Sequence, residues 1–126
     1  MRWFRKDADT PDQNPEGTSG MRLVMYGRRF GCYDQERARS WLEARGIQYE
    51  FLDISSDVEA LRRLELWVGH RSVPTLVVAR PGEVEPYEPP AALQPGQRVR
   101  GTNRGTLITE PSNDDLERWL AQHGLL

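Results

Sequence analysis

The chain has 126 residues, a length typical of one domain with one hydrophobic core. Hydrophobic residues make up 37% and charged residues 29%, and no apolar run approaches the ~20 residues that cross a bilayer. We therefore expect a globular protein without a membrane segment, and a net charge of −2 gives no reason to expect nucleic acid as a partner. The single cysteine excludes an internal disulfide, and with no secretory segment at the start we expect a cytoplasmic protein.

The first half of the chain predicts a strand, a helix and a second strand. Residues 1–20 are rich in Asp, Pro and Gly without periodicity, which indicates a flexible tail before a domain over 21–126. Arg22 to Tyr26 is a short apolar run, typical of a buried strand. A helix is predicted from Tyr33 to Arg45 with Gly46 after its end, and a strand from Gln48 to Ile54.

The second half predicts a helix, two strands and a final helix. Ser56 to Glu59 has the pattern of a capping box, in which Ser56 begins a helix that ends at Gly69. Thr75 to Ala79 is β-branched or apolar and predicts a third strand, and Thr106 to Thr109 predicts a fourth. Ser112 is the expected cap of the last helix. This order predicts an α/β domain whose first two strands are parallel.

Residues 80–105 separate the last two strands and are rich in proline and glycine. A structureless segment of this length is unusual inside a compact domain. Val84 to Tyr87 and Gln97 to Arg100 each have the character of a short extended piece, and together they would form a hairpin. A lid or a partner-docking loop is one interpretation, and a tolerated surface insertion is the favoured one.

Cys32 lies between the first predicted strand and the first predicted helix. A helix N-terminus stabilises a thiolate, and the guanidinium groups of Arg28 and Arg29 in the same loop would do so too. The thiolate is the nucleophile in thiol–disulfide exchange, so this position favours a reactive cysteine. The alternative is a cysteine buried as a small apolar residue.

Pro74 stands directly before the third predicted strand. A proline at the start of a strand can simply mark the strand boundary. A cis peptide bond after Val73 is the second interpretation, and it would present the backbone of Val73 as an edge for an extended ligand.

Taken together, these features resemble the glutaredoxin family. The resemblance extends from Met21 to Leu126, broken by the insertion, and depends on a few anchors: Met25-Tyr26, Cys32, Trp41 to Ile47, Ser72 to Thr75, and Asn113 to Leu116. Gly69 to Thr75 and Gly105 to Ser112 look most like the mycoredoxin branch. The resemblance implies a thioredoxin-like fold with a four-stranded mixed sheet flanked by three helices.

The same resemblance implies roles for individual residues. Cys32 would be the catalytic nucleophile, and a low-molecular-weight thiol such as glutathione or mycothiol would be the co-substrate, with no bound cofactor. The residues implied to bind that thiol are Arg28 and Arg29 at its carboxylate, Tyr33 beside the nucleophile, Val73 and Pro74 along its backbone, and Asn113 and Asp114 at its amino end.

The chain departs from the family pattern at three places. Gln35 stands where the second, resolving cysteine is expected, which leaves a monothiol route in which a second small-thiol molecule releases Cys32. Asp34 is unfavourable, because a nearby carboxylate destabilises a thiolate. Pro111 and Ser112 replace the usual Gly-Gly before the last helix, as in mycoredoxins.

Other functions are weaker interpretations of the same residues. A catalytically weak binding or regulatory module would keep the groove without efficient chemistry. An iron–sulfur carrier is disfavoured, because Tyr33 and Asp34 replace the small residues typical of such relatives. A metal site with His70 and His123 lacks ligand spacing, so we expect none. The expected partners are the small thiol and disulfide-bearing proteins, and we expect a monomer.

Overall fold

The computed structural model describes residues 20–126, so the predicted tail, apart from Gly20, lies outside the described residues. The described part contains four strands and three helices that alternate in the predicted order. In chain order they are β1 (Arg22–Gly27), α1 (Tyr33–Ala44), β2 (Glu50–Asp53), α2 (Val58–Val68), β3 (Thr75–Ala79), β4 (Leu107–Thr109) and α3 (Asn113–Gln122). None of these three helices is long and apolar enough to cross a membrane.

The four strands form one mixed sheet in the order β2-β1-β3-β4. β1 runs parallel to β2 and antiparallel to β3, with Val24 opposite Val77. β4 continues the sheet antiparallel to β3, with Leu76 opposite Ile108. The predicted thioredoxin-like α/β fold is confirmed, including the parallel first pair, which a single helix connects as a crossover.

The two central strands are buried on both faces of the sheet. In β1, Leu23 and Met25 face one side, whereas Val24 and Tyr26 face the other, because successive side chains of a strand alternate. The first side packs against α1 and α3 and the second against α2. This double burial explains why β1 and β3 are continuous apolar runs rather than alternating patterns.

The helix caps agree with the sequence in α3 but not in α2. The side chain of Ser112 accepts a hydrogen bond from Asp115 N, as predicted. The predicted capping box at Ser56 is wrong, because Ser56 belongs to a turn in which its N–H donates to Asp53 O at 3.1 Å. Asp57 is the cap instead, with extended backbone and a carboxylate that accepts from Ala60 N at 3.0 Å.

The insertion, residues 80–105, forms no strand and no hairpin, although the structure describes all of it. In the first expected piece, Val84 to Tyr87, Pro86 has no N–H to donate to a strand ladder. Arg100 alone makes an isolated bridge, to Thr109 at the free edge of β4. The insertion covers that edge rather than extending the sheet.

Several hydrogen bonds hold the insertion against the domain. Tyr87 N donates to Val78 O at 2.9 Å, and the hydroxyl of Tyr26 donates to Val84 O. Burial raises the pKa of Tyr26 to about 12, so this hydroxyl stays protonated and remains a donor. At the other end, Arg104 donates to Trp67 O and to Ala91 O, both at 2.7 Å. The insertion is therefore an ordered part of the domain.

We predict that Arg104→Ala loosens the insertion. The carbonyls of Trp67 and Ala91 lose their donor, which should lower the free energy of unfolding by about 2 kcal/mol. Limited proteolysis should then cut faster within residues 80–105. Arg118→Ala is the matched control, because that side chain is 72% exposed and its ion pair within residues 20–126 is with Asp115 alone. Equal cleavage of both variants would contradict this account.

Candidate functional site

The candidate site lies at the edge of the sheet where β1 ends and β3 begins. Cys32 is the N-cap residue of α1, with φ −86° and ψ 178°, and its thiol is exposed. The thiol donates a hydrogen bond to Val73 O at 3.4 Å, and the Val73–Pro74 peptide bond is cis. The structure thus joins the two features that the sequence singled out separately.

Arg28 and Arg29 lie in the loop before Cys32, as predicted, and both are exposed. Their guanidinium groups are held from outside the loop: Arg28 donates to Arg71 O at 3.0 Å, and Arg29 lies 3.7 Å from the Asp53 carboxylate. Burial of Asp53 opposes its ionisation, but hydrogen bonds from Ser55 and the charge of Arg29 outweigh this effect and lower its pKa. The loop is positively charged, with part of that charge already paired.

The side chain of Gln35 holds the same loop by hydrogen bonds from the interior of the domain. Its side chain is fully buried, and its Oε1 accepts from Arg28 N while its Nε2 donates to Arg28 O, both at 2.8 Å. The amide therefore pairs with one backbone residue as a neighbouring strand would. A Cβ on Gly27 or Gly31 would lie 2.6 or 2.3 Å from this amide, so both positions require glycine. From the sequence, Gln35 was notable only because it stands where a second cysteine is expected.

The carboxylate of Asp34 is not free to oppose a thiolate, contrary to the expectation from sequence. It makes a two-pronged ion pair with Arg100, at 2.5 and 3.0 Å, and a second ion pair with Arg37 at 3.0 Å. The hydrogen bond from Arg100 is the main reason that the pKa of Asp34 is lowered, and it outweighs the opposing effect of burial. Asp34 is ionised and compensated.

Arg100 is the site residue that sequence reasoning missed. It belongs to the insertion, 66 residues beyond Asp34, and nothing in its sequence context distinguishes it from the other arginines of the chain. Phe30 was also missed: its side chain is 88% exposed, and with Tyr33, at 77%, it flanks the cysteine. The signal for this pair was the sequence Phe30-Gly31-Cys32-Tyr33, in which an aromatic residue stands on each side of Gly31-Cys32.

Asn113 and Asp114 lie in the first turn of α3, where the resemblance places them. Arg37 joins this turn to α1 by donating to Pro111 O at 2.8 Å. The Oδ1 atom of Asn113 is buried and has no hydrogen-bond partner within residues 20–126. A polar cleft of about 220 Å³ lies beside this turn, lined by Arg37, Arg98, Arg100, Gly101, Glu110, Ser112 and Asp115. A direct role of Asn113 or Asp114 stays a prediction.

The two histidines do not assemble with Cys32. His70 pairs with Ser72 at 3.3 Å, whereas His123 caps the far end of α3 and lies 2.7 Å from Gly105 O. A helix of ten residues is ~15 Å long, so His123 is separated from the candidate site by the length of α3. Nucleophilic chemistry at one exposed thiol is what this arrangement supports.

Comparisons with known proteins found one relation. Residues 23–81 match the family model described as Glutaredoxin. The match includes Cys32, Gln35 and the Val73–Pro74 turn and ends just after β3, so most of the insertion, β4 and α3 lie beyond it. Searches of curated proteins and of solved structures returned no match.

The lowered pKa of Asp34 predicts how acid affects stability. A carboxyl whose pKa is lower in the folded state stabilises that state above its unfolded pKa of about 3.9. This stabilisation is lost as the pH falls through the folded value. The unfolding free energies of wild type and Asp34→Asn should therefore differ at pH 6 (about 1–2 kcal/mol), and the difference should shrink as the pH falls below about 3.9. Glu117→Gln, an exposed carboxylate change, is the control and should show no convergence.

We predict that Gln35→Cys destabilises the domain even though it restores a two-cysteine spacing. The N–H and carbonyl of Arg28 both lose their partner, which should lower the unfolding free energy by about 2 kcal/mol. Denaturant unfolding under reducing conditions measures this. Gln48→Cys, at an exposed position, is the matched control. A variant as stable as the control would show that the amide clamp contributes nothing.

Proposed function

We propose that the chain, whose residues 23–81 match the Glutaredoxin family model, reduces mixed disulfides through Cys32 by a monothiol route. Members of that family are typically thiol–disulfide oxidoreductases. The observation that carries this proposal is the exposed thiol of Cys32 at the start of α1, beside the backbone of Val73, with an amide in place of a second thiol. The substrate class is a protein thiol blocked by a small thiol, and the co-substrate is the same small thiol.

The proposed reaction has two exchange steps. In the first, the Cys32 thiolate attacks the sulfur of the small thiol in the mixed disulfide, so that a new S–S bond forms and the protein leaves as a thiolate. In the second, a thiolate of another small-thiol molecule attacks that adduct, which restores Cys32 and yields a small-thiol disulfide. Each step exchanges one S–S bond for another, and the free small-thiol molecule that enters in the second step is the reductant of the protein thiol.

Val73 supports this route through its backbone. Its carbonyl accepts from Cys32, while its N–H has no hydrogen-bond partner within residues 20–126. A peptide-like thiol lying antiparallel to this residue would satisfy both groups, as an added strand does. The thiol of such a ligand would then lie beside the sulfur of Cys32.

Charged groups support binding of the two ends of a small thiol. Arg28 and Arg29 are exposed in the loop and offer guanidinium groups to a carboxylate. At the other side, Asn113 and Asp114 begin α3, and the buried Oδ1 of Asn113 lacks a donor within the described part of the chain. The Pro111-Ser112 pair resembles the mycoredoxin branch. The candidate small thiols are therefore mycothiol and glutathione.

Gln35 supports the monothiol form of the mechanism. With one cysteine in the chain, the adduct on Cys32 cannot be resolved internally. The Gln35 side chain is fully buried and both ends of its amide pair with the backbone of Arg28, so it holds the loop. Release must come from a thiol in solution, which makes turnover dependent on small-thiol concentration.

A reduction assay tests this function. The substrate is a protein carrying a glutathione or mycothiol mixed disulfide, and the expected results are turnover by wild type and an adduct on Cys32 detected by mass spectrometry. Cys32→Ser should abolish both. The matched control is the double variant Cys32→Ser/Ser40→Cys, which moves the thiol to an exposed position further along α1 and should stay inactive.

Two outcomes would contradict the proposal. Activity of the relocated thiol equal to wild type would show that the position of Cys32 is irrelevant. Absence of turnover and of any adduct with both small thiols would leave a binding module as the remaining function.

A further inference from the structure

We propose that Arg100 is a positioning residue for Cys32: the insertion delivers it to Asp34 so that the thiolate forms beside a compensated carboxylate. This inference rests on the proposed function, since it concerns the reactive form of the same cysteine. It assigns to residues 80–105 a task in the chemistry of the site, in place of the tolerated surface insertion that the sequence favoured.

Asp34 creates the electrostatic problem. It is the second residue of α1, and Cys32 is the N-cap of the same helix. Its side chain is only 12% exposed, so water screens its charge poorly. An uncompensated carboxylate at this position would counteract the stabilisation that the helix dipole and the positive loop give to a thiolate on Cys32.

Arg100 neutralises this carboxylate through a two-pronged ion pair. Two of its nitrogens contact the two oxygens of Asp34, at 2.5 and 3.0 Å, which fixes the carboxylate in one orientation. The backbone around Arg100 is held as well: Gly101 N donates to Thr109 O at 2.7 Å, and Arg100 itself bridges to Thr109. The free edge of β4 therefore aims this arginine at α1.

The charge of Arg100 also acts on Cys32 directly. The pKa of Arg100 is raised above its usual value, mainly by the hydrogen bond to Asp34 and, more weakly, by the negative charge of the Cys32 thiolate. A negative charge on Cys32 thus favours the Arg100 cation, and it is the weakest of these effects. Arg100 both cancels an unfavourable charge and adds a favourable one.

Arg37 alone cannot replace it. Arg37 contacts Asp34 at 3.0 Å but also donates to Pro111 O, and Glu110 adds a second carboxylate 3.5 Å from Arg100. Without Arg100, the ion-pair partner left to Asp34 within residues 20–126 would be Arg37, whose guanidinium also bonds to Pro111 O. The other charged or titratable groups of the loops around Cys32 are Arg28 and Arg29 before α1, Glu36 in its first turn, and His70 and Arg71 before β3.

The test is the pH–rate profile for alkylation of Cys32 by iodoacetamide, a neutral reagent, at an ionic strength of about 0.02 M. Arg100→Gln should raise the midpoint by about 0.5–1 pH unit, and Arg100→Lys should restore most of the shift. Arg98→Gln is the matched control: it removes an exposed guanidinium of the same segment that has no ion pair within residues 20–126, and it should leave the midpoint unchanged.

Substitution of Asp34, the carboxylate partner of Arg100, should shift the alkylation midpoint in the opposite direction. Asp34→Asn should lower the midpoint, and the double variant Asp34→Asn/Arg100→Gln should lie close to wild type. An Arg100→Gln midpoint equal to wild type would overturn the proposal. If that variant does not fold, an unchanged or raised midpoint in Asp34→Asn overturns it instead.

These results are separable from the proposed function. Alkylation needs only the thiol, so the shifts are measured whether or not the protein turns over a mixed disulfide. Inactive wild type with the predicted shifts would reject the oxidoreductase function and keep the role of Arg100. Active wild type without the predicted shifts would keep the oxidoreductase function and reject the role of Arg100.

Discussion

Burial of β1 and β3 on both faces is the constraint on which the rest of the molecule depends. Two strands that are apolar on both sides need a helical layer on each face, and α1 and α3 supply one while α2 supplies the other. The antiparallel pairing of β1 with β3 then brings the end of β1 and the start of β3 to the same end of the sheet. Cys32 and Val73 meet there as a consequence of sheet topology.

At that edge, buried and partly buried side chains hold the loop that presents Cys32. Gln35 pairs with both backbone groups of Arg28, and Asp34 ties α1 to Arg100 in the insertion. Buried polar groups of this kind stabilise the fold only when all of their hydrogen-bond partners are present. The loop that presents Cys32 is therefore held by hydrogen bonds and an ion pair, leaving the thiol exposed and without a covalent partner in the chain.

The order of elements was predictable because each carries a local signal. Apolar runs marked β1 and β3, a cap at Ser112 marked α3, and Gly46 and Gly69 lie in left-handed backbone conformation after their helices. The boundary of α2 was missed by one residue, since Ser56 and Asp57 are both good caps. The structure decides between them, because Ser56 lies within the turn after β2 whereas Asp57 has extended backbone and its carboxylate accepts from Ala60 N.

The sequence by itself determined the α/β order, the place of Cys32 before a helix and the turn at Pro74, since these depend on neighbours along the chain. It contained no second thiol, and so it also limited the chemistry. Only the tertiary structure decided that Gln35 clamps Arg28 and that Arg100 compensates Asp34. Both depend on packing, and an ion pair across 66 residues leaves no periodicity or spacing that a single sequence reveals.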